Sequence, residues 1–156
     1  DRERIIFAKP RPYEEYLWQY KFADLFLDTT PFNGGTTVRD ALWSGLPILT
    51  LEGKSFAGRM ASSLLKSINM RALVAGDFEE YKSIAIKLAN SPNEMQKMRS
   101  HLMNNKDSIA LSPKEYVRNL EAAYEKANQI YLECGSYADI DIKSNAPLKV
   151  DGILNC

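Results

Sequence analysis

Over its first half the chain alternates between short, nearly unbroken apolar runs and stretches of helical spacing. Arg4-Ile5-Ile6-Phe7-Ala8 reads as a buried strand, stopped by Pro10 and Pro12. Glu14 to Lys21 has helical spacing, with Tyr13, Leu17 and Tyr20 along one face. Asp24-Leu25-Phe26-Leu27 forms a second strand that ends at Asp28. A polar loop follows over 29–35, then a helix over 37–44 whose end is marked by Gly45 and Pro47. Residues 47–51 give a third strand, 55–68 a helix and 72–74 a short fourth strand. Strands this apolar, alternating with helices, belong to a parallel sheet covered on both faces. The expected class is therefore α/β, with a Rossmann-like parallel sheet built from residues 4–75.

From residue 77 onward the pattern is helical throughout. Asp77-Phe78-Glu79-Glu80 carries a capping-box pattern ahead of the stripe Tyr81, Ile84, Leu88. Ser91-Pro92-Asn93-Glu94 opens a second helix that points Met95, Met98 and Leu102 inward. Ser112-Pro113-Lys114-Glu115 repeats the device ahead of a long stripe, Tyr116, Leu120, Ala123, Tyr124, Ala127 and Tyr131, expected to be core. Periodicity stops after Glu133. Residues 1–132 thus read as one lobe, alternating over 4–75 and helical over 77–132, and 133–156 as an irregular tail.

Composition narrows the function classes. The 156 residues suit one domain, and 20 Lys plus Arg balance 20 Asp plus Glu. With no basic cluster the electrostatic footprint of a nucleic-acid binder is missing. No apolar run approaches the ~20 residues that span a bilayer, and no signal peptide is evident, so a cytoplasmic protein without membrane contact is expected. Cys134 and Cys156 are the only cysteines and His101 the only histidine, which leaves no disulfide framework and no zinc motif. Neither a metal nor another cofactor is expected. The absence of an initial methionine reads as a piece of something longer.

The chemistry concentrates in Asp28-Thr-Thr-Pro-Phe-Asn33-Gly34-Gly35-Thr36-Thr37-Val38-Arg39-Asp40, which leaves a strand and opens a helix. In a parallel α/β sheet, ligands bind beyond the carboxyl ends of the strands. Gly34 and Gly35 let a ligand approach the backbone, and Thr36 and Thr37 set two hydroxyls beside the free N–H groups of the first helical turn. Those donors and the helix dipole suit an anion such as a diphosphate. The spacing is neither that of a P-loop nor of Gly-x-Gly-x-x-Gly. A simple capped helix fits equally, with Thr37-x-x-Asp40 as a loose capping box. Asn33-Gly34 is also a hairpin signal, but its downstream flank is helical. Asp28 reads as an Asx-turn former.

Several phrases here resemble the C-terminal catalytic lobe of O-GlcNAc transferases and their bacterial and plant SPINDLY relatives, the SPINDLY-like branch most closely. They are Arg4-Ile-Ile-Phe, Ala23-Asp-Leu-Phe-Leu-Asp-Thr, Asn33-Gly-Gly-Thr-Thr, Asp40-Ala-Leu-Trp-Ser-Gly-Leu-Pro and Gly58-Arg-Met-Ala-Ser-Ser-Leu-Leu, with weaker similarity through Glu80-Tyr81 and Ser112-Pro113 to Tyr124. The resemblance implies a GT-B glycosyltransferase that moves a sugar, GlcNAc or fucose, from a nucleotide-sugar donor to Ser or Thr of a protein acceptor, without a bound metal. It gives the donor diphosphate to Gly34, Gly35, Thr36 and Thr37. It gives the ribose to Asp40, and the base to Pro12 and Tyr16, where Tyr16 replaces a stacking histidine with another π-face. Two departures bear on the donor. Gly35 stands where animal transferases have histidine, and Tyr13 replaces a donor-contacting lysine, which leaves UDP-GlcNAc and GDP-fucose both open.

The resemblance further implies that an N-terminal lobe, TPR repeats and two strands of this sheet lie upstream. In the 3-2-1-4-5-6 strand order, residues 4–8 and 24–27 would then not pair with each other. No catalytic base is assignable within the chain, which alone is expected to bind nucleotide weakly and turn over nothing. Another GT-B enzyme, such as an Asn-directed glycosyltransferase or an epimerase, and a non-catalytic interaction module are the alternatives. Elsewhere, His101 reads as structural, Arg59 as a surface ion pair or a phosphate contact, and Lys54-Ser55 as a helix start or a second anion contact.

Overall fold

The computed structural model describes residues 1–105, 113–135 and 137–142. They divide into two compact units, Asp1–Ile109 and Ala110–Cys156. The first unit holds the sheet. Strands β1 (Phe26–Leu27), β2 (Ile48–Leu51) and β3 (Val74–Ala75) lie in the order β1-β2-β3. Both pairings are parallel, with Phe26 opposite Ile48, Leu27 opposite Leu49, Thr50 opposite Val74 and Leu51 opposite Ala75. Because β1 and β3 pair with different halves of β2, the sheet is staggered, and the chain leaves β1 beside the middle of β2. Parallel neighbours need crossovers. Helix α2 (Thr36–Trp43) joins β1 to β2, and α3 (Met60–Ser67) joins β2 to β3.

The core follows the sequence periodicity. Val38, Ala41 and Leu42 of α2 meet Ile48 of β2, Ala61 and Leu65 of α3, and Leu73. Helix α4 (Phe78–Ala89) contributes Leu88, and α5 (Pro92–Asn104) contributes Met95, Met98 and Leu102, at the i, i+3, i+7 spacing of one helix face. Asp77 caps α4 as expected, its carboxylate accepting the Glu80 N–H at 2.8 Å. Ser91, by contrast, makes no side-chain cap at α5. His101 is half-buried on α5 beside Asn105, consistent with a structural role.

Local chemistry ends the helices. At the end of α2, Gly45 has φ +82°, its N–H donates to the Leu42 carbonyl and the Leu46 N–H donates to the Ala41 carbonyl, both at 2.9 Å. This is a Schellman closure. Helix α3 ends in the same way, with Asn69 at φ 58° and the Met70 N–H donating to the Leu65 carbonyl at 2.8 Å.

Some elements differ from expectation. Residues 4–8 form no strand. A 3-10 turn covers Arg2–Arg4, after which the chain is extended but unpaired, with Phe7 90% exposed. A strand is stable only when its N–H and C=O groups find a ladder, and no described strand pairs with this segment. With no strand formed at 4–8, its expected place in the sheet relative to β1 is not reached. The expected helix over 14–21 is α1 (Tyr13–Gln19) closed by a 3-10 turn, Tyr20–Phe22. The expected helix over 55–68 begins with a 3-10 turn at Ala57–Arg59 before α3, and the expected strand over 72–74 is a 3-10 turn, Arg71–Leu73, before β3.

In the second unit, α6 (Pro113–Cys134) is the long predicted helix, ending at Gly135 with φ 60°. Its tyrosines Tyr116, Tyr124 and Tyr131 are exposed rather than core, since no other helix or strand is described within that unit to cover them. Residues 137–142 carry no regular structure. The Ser112 cap lies outside the described residues.

Two measurements check these contacts. An alanine Cβ at position 45 would sit in the left-handed region and 2.8 Å from Met103 Sδ. Gly45→Ala is therefore expected to destabilise the fold by about 1–2 kcal/mol in urea unfolding. At the end of β2, Glu52 Oε1 accepts from Lys66 Nζ at 2.5 Å and from Ser62 Oγ at 2.8 Å. These bonds hold Glu52 below its ordinary value of 4.5, against the opposing effect of partial burial. A carboxylate with a depressed folded pKa stabilises the fold above its unfolded pKa, and that contribution is lost as pH falls through the folded pKa. Glu52→Gln should thus lower Tm at neutral pH, the lost stability amounting to less than about 1 kcal/mol for so exposed a pair. The gap should close in melts taken progressively below pH 4.5.

Candidate functional site

The loop after β1 begins at Asp28, which is 6% exposed. Its N–H extends the β1 ladder by donating to the Leu49 carbonyl at 2.9 Å. Its carbonyl accepts from the Tyr81 hydroxyl of α4 at 3.0 Å. Its carboxylate is shared: Oδ1 accepts the Gly34 N–H at 2.8 Å and Oδ2 accepts the Thr50 hydroxyl at 2.7 Å. Burial and then the Asp28 charge push the Tyr81 hydroxyl above its usual pKa, so it remains a donor.

Asn33 is 0% exposed and holds the middle of the loop. Its Nδ2 donates to the carbonyls of Thr29 at 2.8 Å and Leu51 at 3.4 Å, and its N–H donates to Ala57 at 3.3 Å. Among the described residues its Oδ1 is buried without a hydrogen-bond partner. The neighbouring loop folds on Gly53 and Gly58, whose N–H and carbonyl bond at 2.7 Å and whose backbones approach too closely for side chains.

The loop delivers the start of α2. Gly35 stands at the N-cap and makes no side-chain cap bond, so the loose Thr37-x-x-Asp40 capping box does not form. The first helical bond is donated by Arg39 N–H to the Gly35 carbonyl at 3.1 Å. Among the described residues, no protein acceptor takes the N–H of Gly35, Thr36, Thr37 or Val38. Thr36 and Thr37 are exposed. The two glycines differ. A Cβ on Gly34 would meet Thr37 Oγ1 at 2.7 Å, Val38 Cγ2 at 2.8 Å and Asp28 Oδ1 at 3.3 Å, whereas one on Gly35 would meet only Met60, at 2.7 Å from Cε.

Helix α1 reaches the same place. The Tyr20 hydroxyl donates to the Thr37 carbonyl at 3.3 Å and is hydrogen-bonded to the Tyr16 hydroxyl. Tyr16 and Tyr20 meet edge to face at 5.1 Å, and Tyr13 stacks on Tyr16 at 6.2 Å. Burial, the bond with Tyr16 and the nearby Asp40 charge all drive the Tyr20 pKa upward. Asp40 is buried, beside Arg39 at 3.4 Å. Gly34, Gly35, Thr36, Thr37, Asp40 and Tyr16 are thus brought together around the first turns of α2. Pro12 is exposed at the N-cap of α1.

The remaining sequence-flagged residues serve the neighbouring loop: Ser55 Oγ accepts the Gly58 N–H at 3.0 Å and Arg59 Nε donates to the Ser55 carbonyl at 3.3 Å. A groove of about 460 Å³ along α1, lined by Arg11, Glu14, Glu15, Trp18, Gln19 and Phe22, includes none of the loop residues. Sequence reasoning missed Tyr20, Thr50 and the reach of Asp28. An Asx-turn bonds two residues ahead, whereas Asp28 bonds six and 22 residues ahead. Tyr20, four residues after Tyr16 on one helix face, carried the signal that was available.

The arrangement is an exposed helix start with unpaired amides, two hydroxyls and a positive dipole end, suited to a diphosphate. The chain is 35% identical over 122 residues to the UDP-N-acetylglucosamine–peptide N-acetylglucosaminyltransferase of Caenorhabditis elegans, covering 78% of this chain and 11% of that protein. It is 32% identical over 123 residues to the probable enzyme of the same description, SPINDLY, of Petunia hybrida, covering 76% and 13%. A mutant of the Thermobaculum terrenum O-GlcNAc transferase superposes with a TM-score of 0.75 at 38% identity, over 80% of this chain and 24% of the solved one. The chain therefore spans about an eighth of the length of these curated relatives. Residues 1–120 match glycosyl transferase family 41, and the chain belongs to that family.

Proposed function

We propose that this chain is the donor-binding part of a protein O-glycosyltransferase. The observation that carries the reading is the start of α2, where Thr36 and Thr37 are exposed beside amides with no protein acceptor. Family membership and relatives described as peptide N-acetylglucosaminyltransferases support it.

In this reading Gly34 and Gly35 give the donor room. Thr36, Thr37 and the first-turn amides hold the diphosphate. Asp40 binds the ribose, and Pro12 and Tyr16 frame the base. Negative charge grows on the diphosphate as the sugar leaves, and amides already fixed in place stabilise it without reorganisation. The donor is a nucleotide-sugar, UDP-GlcNAc or GDP-fucose, and the acceptor a Ser or Thr hydroxyl of a protein. No metal is required, because the helix terminus supplies the positive potential. The acceptor site and any base belong to an N-terminal lobe and TPR repeats of a longer, cytoplasmic parent protein.

The test is calorimetric titration of UDP, GDP and their sugars into the full-length protein. Thr36→Ala combined with Thr37→Ala is expected to weaken diphosphate binding about 10-fold or more, the size of losing charge-assisted hydrogen bonds, with the thermal melt preserved. Unchanged affinity would favour a non-catalytic interaction module.

A further inference from the structure

We propose that Asp28 is a positioning residue for the diphosphate site: its buried carboxylate sets where the row of free amides begins. The inference rests on the donor-site reading above and deepens it.

Every polar group of Asp28 is engaged. Its N–H bonds Leu49 beside β1, its carbonyl bonds Tyr81 of α4, and its two carboxylate oxygens bond Gly34 of the loop and Thr50 of β2. A residue tied at four points to the sheet, a helix and the loop cannot shift without moving all of them. Its Oδ1 takes the Gly34 N–H, shortly before the exposed Thr36 and Thr37, whose N–H groups find no protein acceptor among the described residues. That amide is thereby withdrawn from any ligand. The neighbouring amides are held in place through the same bond.

Position 34 lies directly against this carboxylate. Gly34 must lack a Cβ for this to work, since one would stand 3.3 Å from Asp28 Oδ1 and closer still to Thr37 and Val38.

A residue that merely held the fold together would weaken all ligands alike. A positioning residue acts on the phosphate-bearing part. The experiment titrates UDP and GDP, and separately uridine and guanosine, into the full-length protein carrying Asp28→Ala or Asp28→Asn. Asp28→Ala is expected to raise the diphosphate Kd about 10-fold and the nucleoside Kd less than about 3-fold. Asp28→Asn should recover most of that loss, because its Oδ1 still accepts from Gly34 and its amide still reaches Thr50. If Asp28→Ala does not fold, Thr50→Val removes one partner only, and the same selective pattern is expected at about 3-fold. Equal losses for nucleosides and diphosphates, no recovery with Asn, or diphosphate binding by Asp28→Ala equal to that of the wild type would each overturn the inference. That last result leaves the donor site standing, whereas a wild type that binds no nucleoside diphosphate overturns both.

Discussion

A helix that receives an anion must begin with amides that nothing else has satisfied, yet an unsatisfied amide is stable only where water or a ligand reaches it. For Thr36 and Thr37 the fold meets that condition by keeping both at the surface, while Val38, Ala41 and Leu42 are buried in the core. Those two demands fix the tilt of α2 and leave its first turn beyond the carboxyl end of β1. The short strand β1 is consequently anchored less by its own ladder than by Asp28 and Asn33, which fasten the loop to β2 and to the Ala57 backbone.

The tyrosines at and after α1 tie this segment to the start of α2. Tyr20 donates to the Thr37 carbonyl, and burial and the bond with Tyr16 drive its pKa upward from an ordinary value at which the phenol is already neutral. The hydroxyl chain from Tyr16 through Tyr20 also couples the orientation of α1 to that of α2.

How much of this was legible in sequence follows from how local each determinant is. Helix α2 was readable at both ends, because the two glycines, the threonine pair and Gly45 act within a few residues of one another. The cap of α4 at Asp77 was readable for the same reason. Residues 4–8 have strand composition, but pairing is a property of a neighbour, and none is described for them. The stripe from Tyr116 to Tyr131 gave the helix correctly and its burial incorrectly, since periodicity states which face is apolar and not what covers it. Asp28 was placed at the right turn with the wrong partners, which lie on a different strand and past the next loop.

The adjoining glycines of the loop have unequal room for a side chain. Position 34 is walled in by rigid neighbours, so any side chain there would dismantle the turn. Position 35 faces only the tip of a methionine, which can swing aside. A side chain at position 35 can therefore be housed by displacing Met60, whereas one at position 34 would have to push aside Thr37, Val38 and Asp28 together.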